Sequence, residues 1–399
     1  MELKQIDSFL LKVLFLVEAG IIVTQVLSLD SLTSMLFLMT FPITVLLWLR
    51  SVRQTFSGTD LIMIITAILA VVGVFLSAAK ASAHLDFSSL KKLIMFVMAL
   101  LFFQMAYRTR INEEMGAFIH RVVDALVVFL FVLFLLQRQQ MYTLNGRRTN
   151  YLTFCFSNPN LTALFLSCMY MLKMQRLFEK GRWYVKLMHI LQQVLLGWFV
   201  LETQSRNGIL VVLAYTLMTI WLVFRSGWNL KISKFWGAFL AVWPAIMVVG
   251  YMTLIQSSWV LDTFSFLVGE GKELDSRETI WSLGLRHLRE SPVFGAYYEM
   301  AGGTGVFQMH NSHLDIAVSY GIPVLILVCI LINRYLYGQG RIYANKREYI
   351  YILGFAAAIL LGMGESAVFS GGLGIYIFAG TFLLLANQKP PETRNGERL

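Results

Sequence analysis

The chain has 399 residues, 57% of them hydrophobic and 14% charged, with a mean hydropathy of +0.65. Soluble domains carry roughly 25% charged residues, so this composition excludes an ordinary water-soluble fold and leaves a polytopic membrane protein. The net charge of +10 therefore argues for basic loops beside membrane spans, not for nucleic-acid binding.

A run of about 20 apolar residues crosses a bilayer as a helix. Twelve such runs are predicted, at residues 8–28, 31–49, 60–79, 90–107, 117–137, 159–175, 186–203, 208–225, 235–256, 314–334, 349–365 and 370–387. The first, within "SFLLKVLFLVEAGIIVTQVLSL", is too long for a signal-peptide core and lacks a small-residue cleavage site, so it reads as a span. An even number of spans puts both termini on one side. Twenty Lys and Arg fall on the segments of that side and eleven on the other, which predicts cytoplasmic termini. The expected fold is all-α, a polytopic helical membrane protein of about twelve transmembrane helices. Its large extracytoplasmic loop contains a short amphipathic helix.

The organisation follows from the spans. Residues 1–137 form N-terminal transmembrane helices, and 138–256 form central ones with an outer loop. Residues 257–313 make the large outer loop, 314–387 the C-terminal transmembrane helices, and 388–399 a polar cytoplasmic tail. No internal repeat stands out. Cys155, Cys168 and Cys329 show no CxxC spacing and two lie in apolar runs, so neither a disulfide framework nor a cysteine metal site is indicated. Charges within spans are few. Lys12 and Glu18 lie on the first span. Arg121 and Asp124 lie three apart on the fifth, where they are expected to pair. No chain of acids runs across the membrane, which argues against an ion-coupled pump.

The polar residues that carry chemistry collect on the outer segments. Arg147 and Arg148 stand in the first long one. "FCFSNPNLTALFL" then opens the sixth span, with Asn158 as a ready helix cap, Pro159 suited to the first turn and Asn160 behind it. "ETQSRNGILVVLAY" puts Arg206 near the N-terminus of the eighth span. There it makes either a phosphate seat with the free backbone N–H groups or a side chain reaching for the interface.

The larger outer segment contains "DSRETIWSLGLRHLRESPVFG". Asp275 and Glu278 have capping-box spacing, and Ile280, Trp281, Gly284, Leu285 and Leu288 form a helical stripe. Ser291-Pro292 stops the helix. Arg277, Arg286 and Arg289 ride on it. Several arginines on the face that should lack them point to an anionic ligand, although any single one reads equally as a solvated charge.

"QMHNSHLDIAVSYGI" follows at the doorway of the tenth span. His310 suits proton transfer, and Asn311 suits orienting it or a substrate hydroxyl. Capping explains Asn311 or Ser312 but not two histidines. His310 and His313 share a helical face and could hold a metal, with Asp315 near. No familiar ligand spacing is complete, and no metal or other cofactor is expected. Glu365, in the glycine-rich turn "GMGESAVFSGGLG", could pair with an Arg or His at the outer mouth.

In this order, "SNPN", "SRNG", "SRETIW" with "SPVFG", and "HNS" resemble the motifs of the O-antigen ligase and Wzy-type polysaccharide polymerase superfamily of bacterial membrane glycosyltransferases. The resemblance covers about residues 157–324. In the ligases the His-Asn pair is followed after nine residues by Gly-x-x-Gly. Here nine residues lead to Gly321, but Val324 stands at the second glycine.

The resemblance implies a metal-independent transferase of the bacterial plasma membrane. Its donor is an oligosaccharide on undecaprenyl pyrophosphate, presented at the outer face, and its partners are an acceptor glycan and membrane lipid. A chain-length regulator and a flippase are further candidates, and nucleic acid is not a partner. The implied catalytic residues are His310, as base, with Arg206 and Arg277, which neutralise the leaving pyrophosphate. Asn311, Asn158, Asn160, Arg147, Arg148, Trp281, Arg286 and Glu365 are the implied substrate-binding residues. Polymerisation of repeat units of a capsule, exopolysaccharide or O-antigen is the first reading, and ligation to a final acceptor such as lipid A core the second. A lipid-linked-oligosaccharide flippase or transporter is an alternative of another class, but it gives no reason for a folded outer loop.

Overall fold

The computed structural model describes residues 5–53, 55–82, 87–144, 147–154, 158–178, 182–224, 232–254, 272–297, 309–338, 346–366, 368–369 and 375–388. Side chains in a few of these segments, among them those of Arg147, Arg148 and Arg277, lie outside the description. So do Ser157 and most of the proline-containing tail.

Fourteen α-helices are described. They are α1 (Gln5–Val26), α2 (Asp30–Val52), α3 (Gly58–Lys80), α4 (Phe87–Arg108), α5 (Glu113–Gln137), α6 (Pro159–Met174), α7 (Trp183–Glu202), α8 (Arg206–Phe224), α9 (Lys234–Leu254), α10 (Lys272–Glu290), α11 (Ser312–Tyr320), α12 (Ile322–Tyr337), α13 (Lys346–Leu361) and α14 (Ile375–Ala386). A two-residue antiparallel ladder, β1 (Thr143–Leu144) with β2 (Arg147–Arg148), sits between α5 and α6. Among the described residues eight helices, α1–α5 and α7–α9, are long and apolar enough to cross a bilayer. The protein is an all-α, multi-pass membrane protein.

The shorter apolar helices occupy the middle. Every residue of α14 is buried, and so is most of α6 and α13. A helix that is apolar all round has to be enclosed on every side. Here α14 packs on α13, α4 and α6, while α13 also packs on α8. The long helices form the outer layer and keep large apolar side chains exposed, such as Leu135 and Leu136 on α5 and Leu191 and Val194 on α7. Those faces are solvated by lipid, not water.

The end opposite the site described below is closed by charge. Asp60 forms a capping box with Ser57 at the start of α3 and also accepts bonds from Gln104 Nε2 (2.8 Å) and Arg108 on α4. On α5, Asp124 does not pair with Arg121 as expected. It accepts from Lys173 on α6, whose Nζ is fully buried and also lies 3.0 Å from His189 Nδ1. Arg121, one turn away on the same helix, is exposed. A buried ammonium needs a counter-charge more than an exposed guanidinium does, so helix rotation aims Asp124 inward.

Two local expectations change. The loop helix α10 begins at Lys272, so Asp275 lies inside it and not at its cap. The expected tenth span, 314–334, breaks at Gly321 into α11 and α12. Gly321 has φ +95°, and a Cβ there would collide with the Val293 carbonyl. The turn after α10 fills the break, with Ile322 N bonded to Pro292 O (2.8 Å) and Ala296 N to Val318 O (2.7 Å). The Ser-Pro-Val-Phe-Gly stretch thus stops α10 and docks it against a kinked span.

Candidate functional site

The site lies where α11 begins, beside the start of α8 and the turn that follows α13. Asn311 caps α11, its side-chain oxygen accepting from His313 N (3.1 Å) and Leu314 N (3.0 Å). Its amide nitrogen donates to Pro244 O (3.0 Å) and Met363 O (3.3 Å). Ser312 N bonds Gly362 O (2.7 Å), and Ser312 Oγ donates to Glu365 O (2.8 Å). These contacts stitch residues 311–312 to the turn at 362–365.

That turn delivers Glu365 to His310. The imidazole Nδ1 stands 3.2 Å from both carboxylate oxygens. The Glu365 side chain is 2% exposed and the His310 side chain 31%. An ionised carboxylate can only accept, so Nδ1–H is the donor in this pair. In this arrangement a buried acid holds the imidazole ring from one side. His310 also adopts a left-handed backbone, φ +48°, which L-residues visit only where neighbours impose it.

His313 is a different kind of residue. Its ring is fully buried, and Nε2 donates to Ala241 O at 2.7 Å. It faces α9 while His310 turns to Glu365, so the two do not form a shared metal pair. Among the described residues no group of three or more His, Cys, Asp or Glu is placed to hold a metal ion.

A small cleft of about 200 Å³ opens on Glu365, lined also by Asn160, Ser205, Asn207, Gly208 and Gly364. The starts of α6 and α8 meet there. Each residue of Ser-Arg-Asn-Gly has a distinct part. Ser205 lines the cleft. Arg206 opens α8 with an exposed side chain. Asn207 Nδ2 bonds Leu361 O (2.9 Å) and ties α8 to the Glu365 turn. Gly208 lets α8 approach α6, since a Cβ there would lie 2.9 Å from Ala163 Cβ. Asn158 caps α6 through Asn160 N (2.8 Å).

The ladder that carries Arg147 and Arg148 is pinned to the same corner. Leu152 N bonds Glu202 O (2.8 Å), Gln204 Nε2 donates to Asn150 O (3.0 Å), and Tyr142 Oη donates to the Glu202 carboxylate (2.7 Å). Burial, then the bond to Glu202, pushes the Tyr142 phenol up to about 12, so it remains a donor at neutral pH. The ladder therefore stands near Arg206, although the two are far apart in sequence.

Helix α10 packs its apolar stripe on α9 and α11. Trp281 meets Tyr251 edge to face at 5.3 Å. Its indole N–H donates to Met309 O at 2.7 Å, so the group expected to touch substrate is engaged by the backbone next to His310. The backbone of Arg277 lies one turn earlier on α10, and Arg286 is exposed. Sequence reasoning overlooked Lys92 and Asp315 as members of this neighbourhood. Lys92 Nζ bonds Asp315 Oδ1 and Ser319 Oγ, each at 2.9 Å. The adjacent pair Lys91-Lys92 at the outer start of the fourth span was the available signal.

Residues 193–329 match the model of the O-antigen ligase family. This stretch, about a third of the chain, is similar to that family. The match takes in Arg206, the whole of α10 and His310, so three of the four motifs read from the sequence fall inside it. The Asn-Pro-Asn start of α6, Lys92 and Glu365 lie outside the matched O-antigen ligase stretch, yet the fold brings them against it. No curated protein matches the chain.

Proposed function

We propose that this chain polymerises undecaprenyl-pyrophosphate-linked oligosaccharide repeat units at the outer face of the bacterial plasma membrane, with both termini in the cytoplasm. The observation that carries the reading is His310, oriented by the buried Glu365 within an O-antigen ligase-type domain and next to Arg206 and the cleft. A hydroxyl of the acceptor glycan attacks the anomeric carbon of the donor sugar. The new glycosidic C–O bond forms, and the bond from that carbon to the pyrophosphate oxygen breaks. The lipid pyrophosphate leaves with the electron pair, and the hydroxyl proton passes to His310 Nε2. Arg206 and Arg277 neutralise the leaving pyrophosphate, the electrostatic part of the catalysis. Arg147, Arg148 and Arg286 add attraction for the anionic donor, while Asn158 and Asn160 at the start of α6 hold polar groups of the substrate. Metal is not needed in this scheme, because the arginines supply the positive charge.

Ligation to a final acceptor is the second reading. It is favoured by the family description, O-antigen ligase, and differs from the first only in the acceptor. Val324, buried in α12 where the ligase pattern has glycine, favours polymerisation. The test is a deletion strain complemented with wild type or His310→Ala, reading surface glycan by size. Collapse of the ladder to a single repeat unit, unrescued by a normally inserted His310→Ala, supports the polymerase. Long chains that stay on the lipid carrier support the ligase. Normal glycan with His310→Ala removes the role given to that residue.

A further inference from the structure

His310 is held from behind by a residue, Met309, whose backbone N–H and carbonyl are both engaged. The Met309 carbonyl accepts from Trp281 Nε1 (2.7 Å), and the Met309 N–H donates to Asp315 Oδ1 (3.3 Å). The same Asp315 oxygen takes Lys92 Nζ at 2.9 Å, and Lys92 also reaches Ser319 Oγ. Asp315 is 1% exposed and Trp281 7%. The clamp thus joins α4, α10 and α11 through the backbone of one residue. The next residue is His310, in the left-handed region at φ +48°. That conformation is unfavourable for a residue with a Cβ, and surrounding contacts have to hold it. A buried ion pair needs a reason beyond stability, because apolar residues of similar volume usually serve a fold as well.

We propose that Asp315, anchored by Lys92 and opposed by Trp281, is a positioning residue that sets the direction in which His310 presents its ring to the acceptor hydroxyl. Asp315 touches no reacting atom and works only through Met309 and His310. The proposal rests on the reading of His310 as the base. The large-loop helix gains a defined task from it, since α10 supplies the indole that holds one side of the clamp.

The test uses full-length protein in nanodiscs with lipid-linked repeat units extracted from the deletion strain. Two readouts are taken. One is kcat and KM for transfer, and the other is the rate at which diethyl pyrocarbonate modifies His310, read by mass spectrometry, with buried His313 as the silent control. Asp315→Asn keeps an acceptor for Met309 N–H and is expected to retain kcat within about threefold. Asp315→Ala is expected to lower kcat by about tenfold to a hundredfold at unchanged KM and to raise His310 modification severalfold. Where Asp315→Ala does not fold, Lys92→Met/Asp315→Leu removes the ion pair as a neutral, apolar unit and leaves the same Met309 N–H without its acceptor. In a His310→Ala background, Asp315→Ala is expected to add nothing to the loss, since the two act as a unit. Losses that multiply in the double variant, or an unchanged His310 modification rate, overturn the positioning role. A changed modification rate with transfer intact in Asp315→Ala and His310→Ala alike supports the clamp and overturns His310 as the base.

Discussion

The two ends of the helix bundle both bury charge and both hold a histidine, but they are built to opposite specifications. At one end Lys173 is fully buried, paired with Asp124 and set against His189. Asp60 is wrapped by Ser57, Gln104 and Arg108. The first set ties α5 to α6 and α7, and the second ties α3 to α4. At the other end His310 keeps nearly a third of its side chain exposed, and only its Glu365 partner is buried. Its backbone is left-handed, and a cleft opens beside its acid. A network that closes on itself stabilises a fold. One that keeps part of its imidazole within reach of solvent can take part in chemistry.

Mutations on the two ends should separate along that line. The largest effect is expected from His310→Ala, a loss of about 10²–10⁴ in turnover with unchanged membrane insertion. Glu365→Gln should cost about 10–100-fold, as removal of an orienting partner does. Release of lipid pyrophosphate in isolated membranes measures both. At the opposite end Asp124→Ala leaves Lys173 buried without its carboxylate and should cost about 3 kcal/mol of stability. It should lower the melting temperature in detergent while turnover per folded molecule stays within about twofold. Equal losses of turnover at the two ends would erase the distinction.

Gly321→Ala joins stability and activity. Its φ of +95° and the Val293 carbonyl in the way predict about 1–3 kcal/mol of strain, with a lower melting temperature and slower transfer, because the same break seats the turn after α10. Arg206→Ala should reduce kcat/KM for the donor by about tenfold, less than a buried oxyanion donor would, and Arg206→Lys should recover part of it. The effect should shrink as salt rises, since this side chain is exposed. The smallest expected effect is that of a chelator, which should leave transfer unchanged in washed membranes.

Much of the fold was legible before the structure. The apolar runs located the spans, and Asn158, Asn311 and the Ser291-Pro292 stop acted where their residue types predicted. The stripe of α10 was readable for the same reason. Each of these depends on atoms within about four residues of chain. The misreadings were of another kind. Asp124 was assigned to its neighbour Arg121 and found Lys173, because only the rotation of α5 against α6 decides which face is interior. Asp275 was taken for a cap because its spacing fitted, and the helix simply began one turn earlier.

The sequence by itself determined that this chain crosses a membrane many times and that His310, Asn311 and a set of arginines crowd one class of loops. It did so because hydrophobic periodicity and local hydrogen bonding are written in short stretches. The tertiary structure alone decided that Glu365, fifty-five positions away, is the partner of His310, that Lys92 and Asp315 stand behind it, and that Trp281 meets a backbone carbonyl. Those pairings depend on which helix faces meet, and a carboxylate in a linear sequence gives no sign of the ring it will face once the bundle has packed.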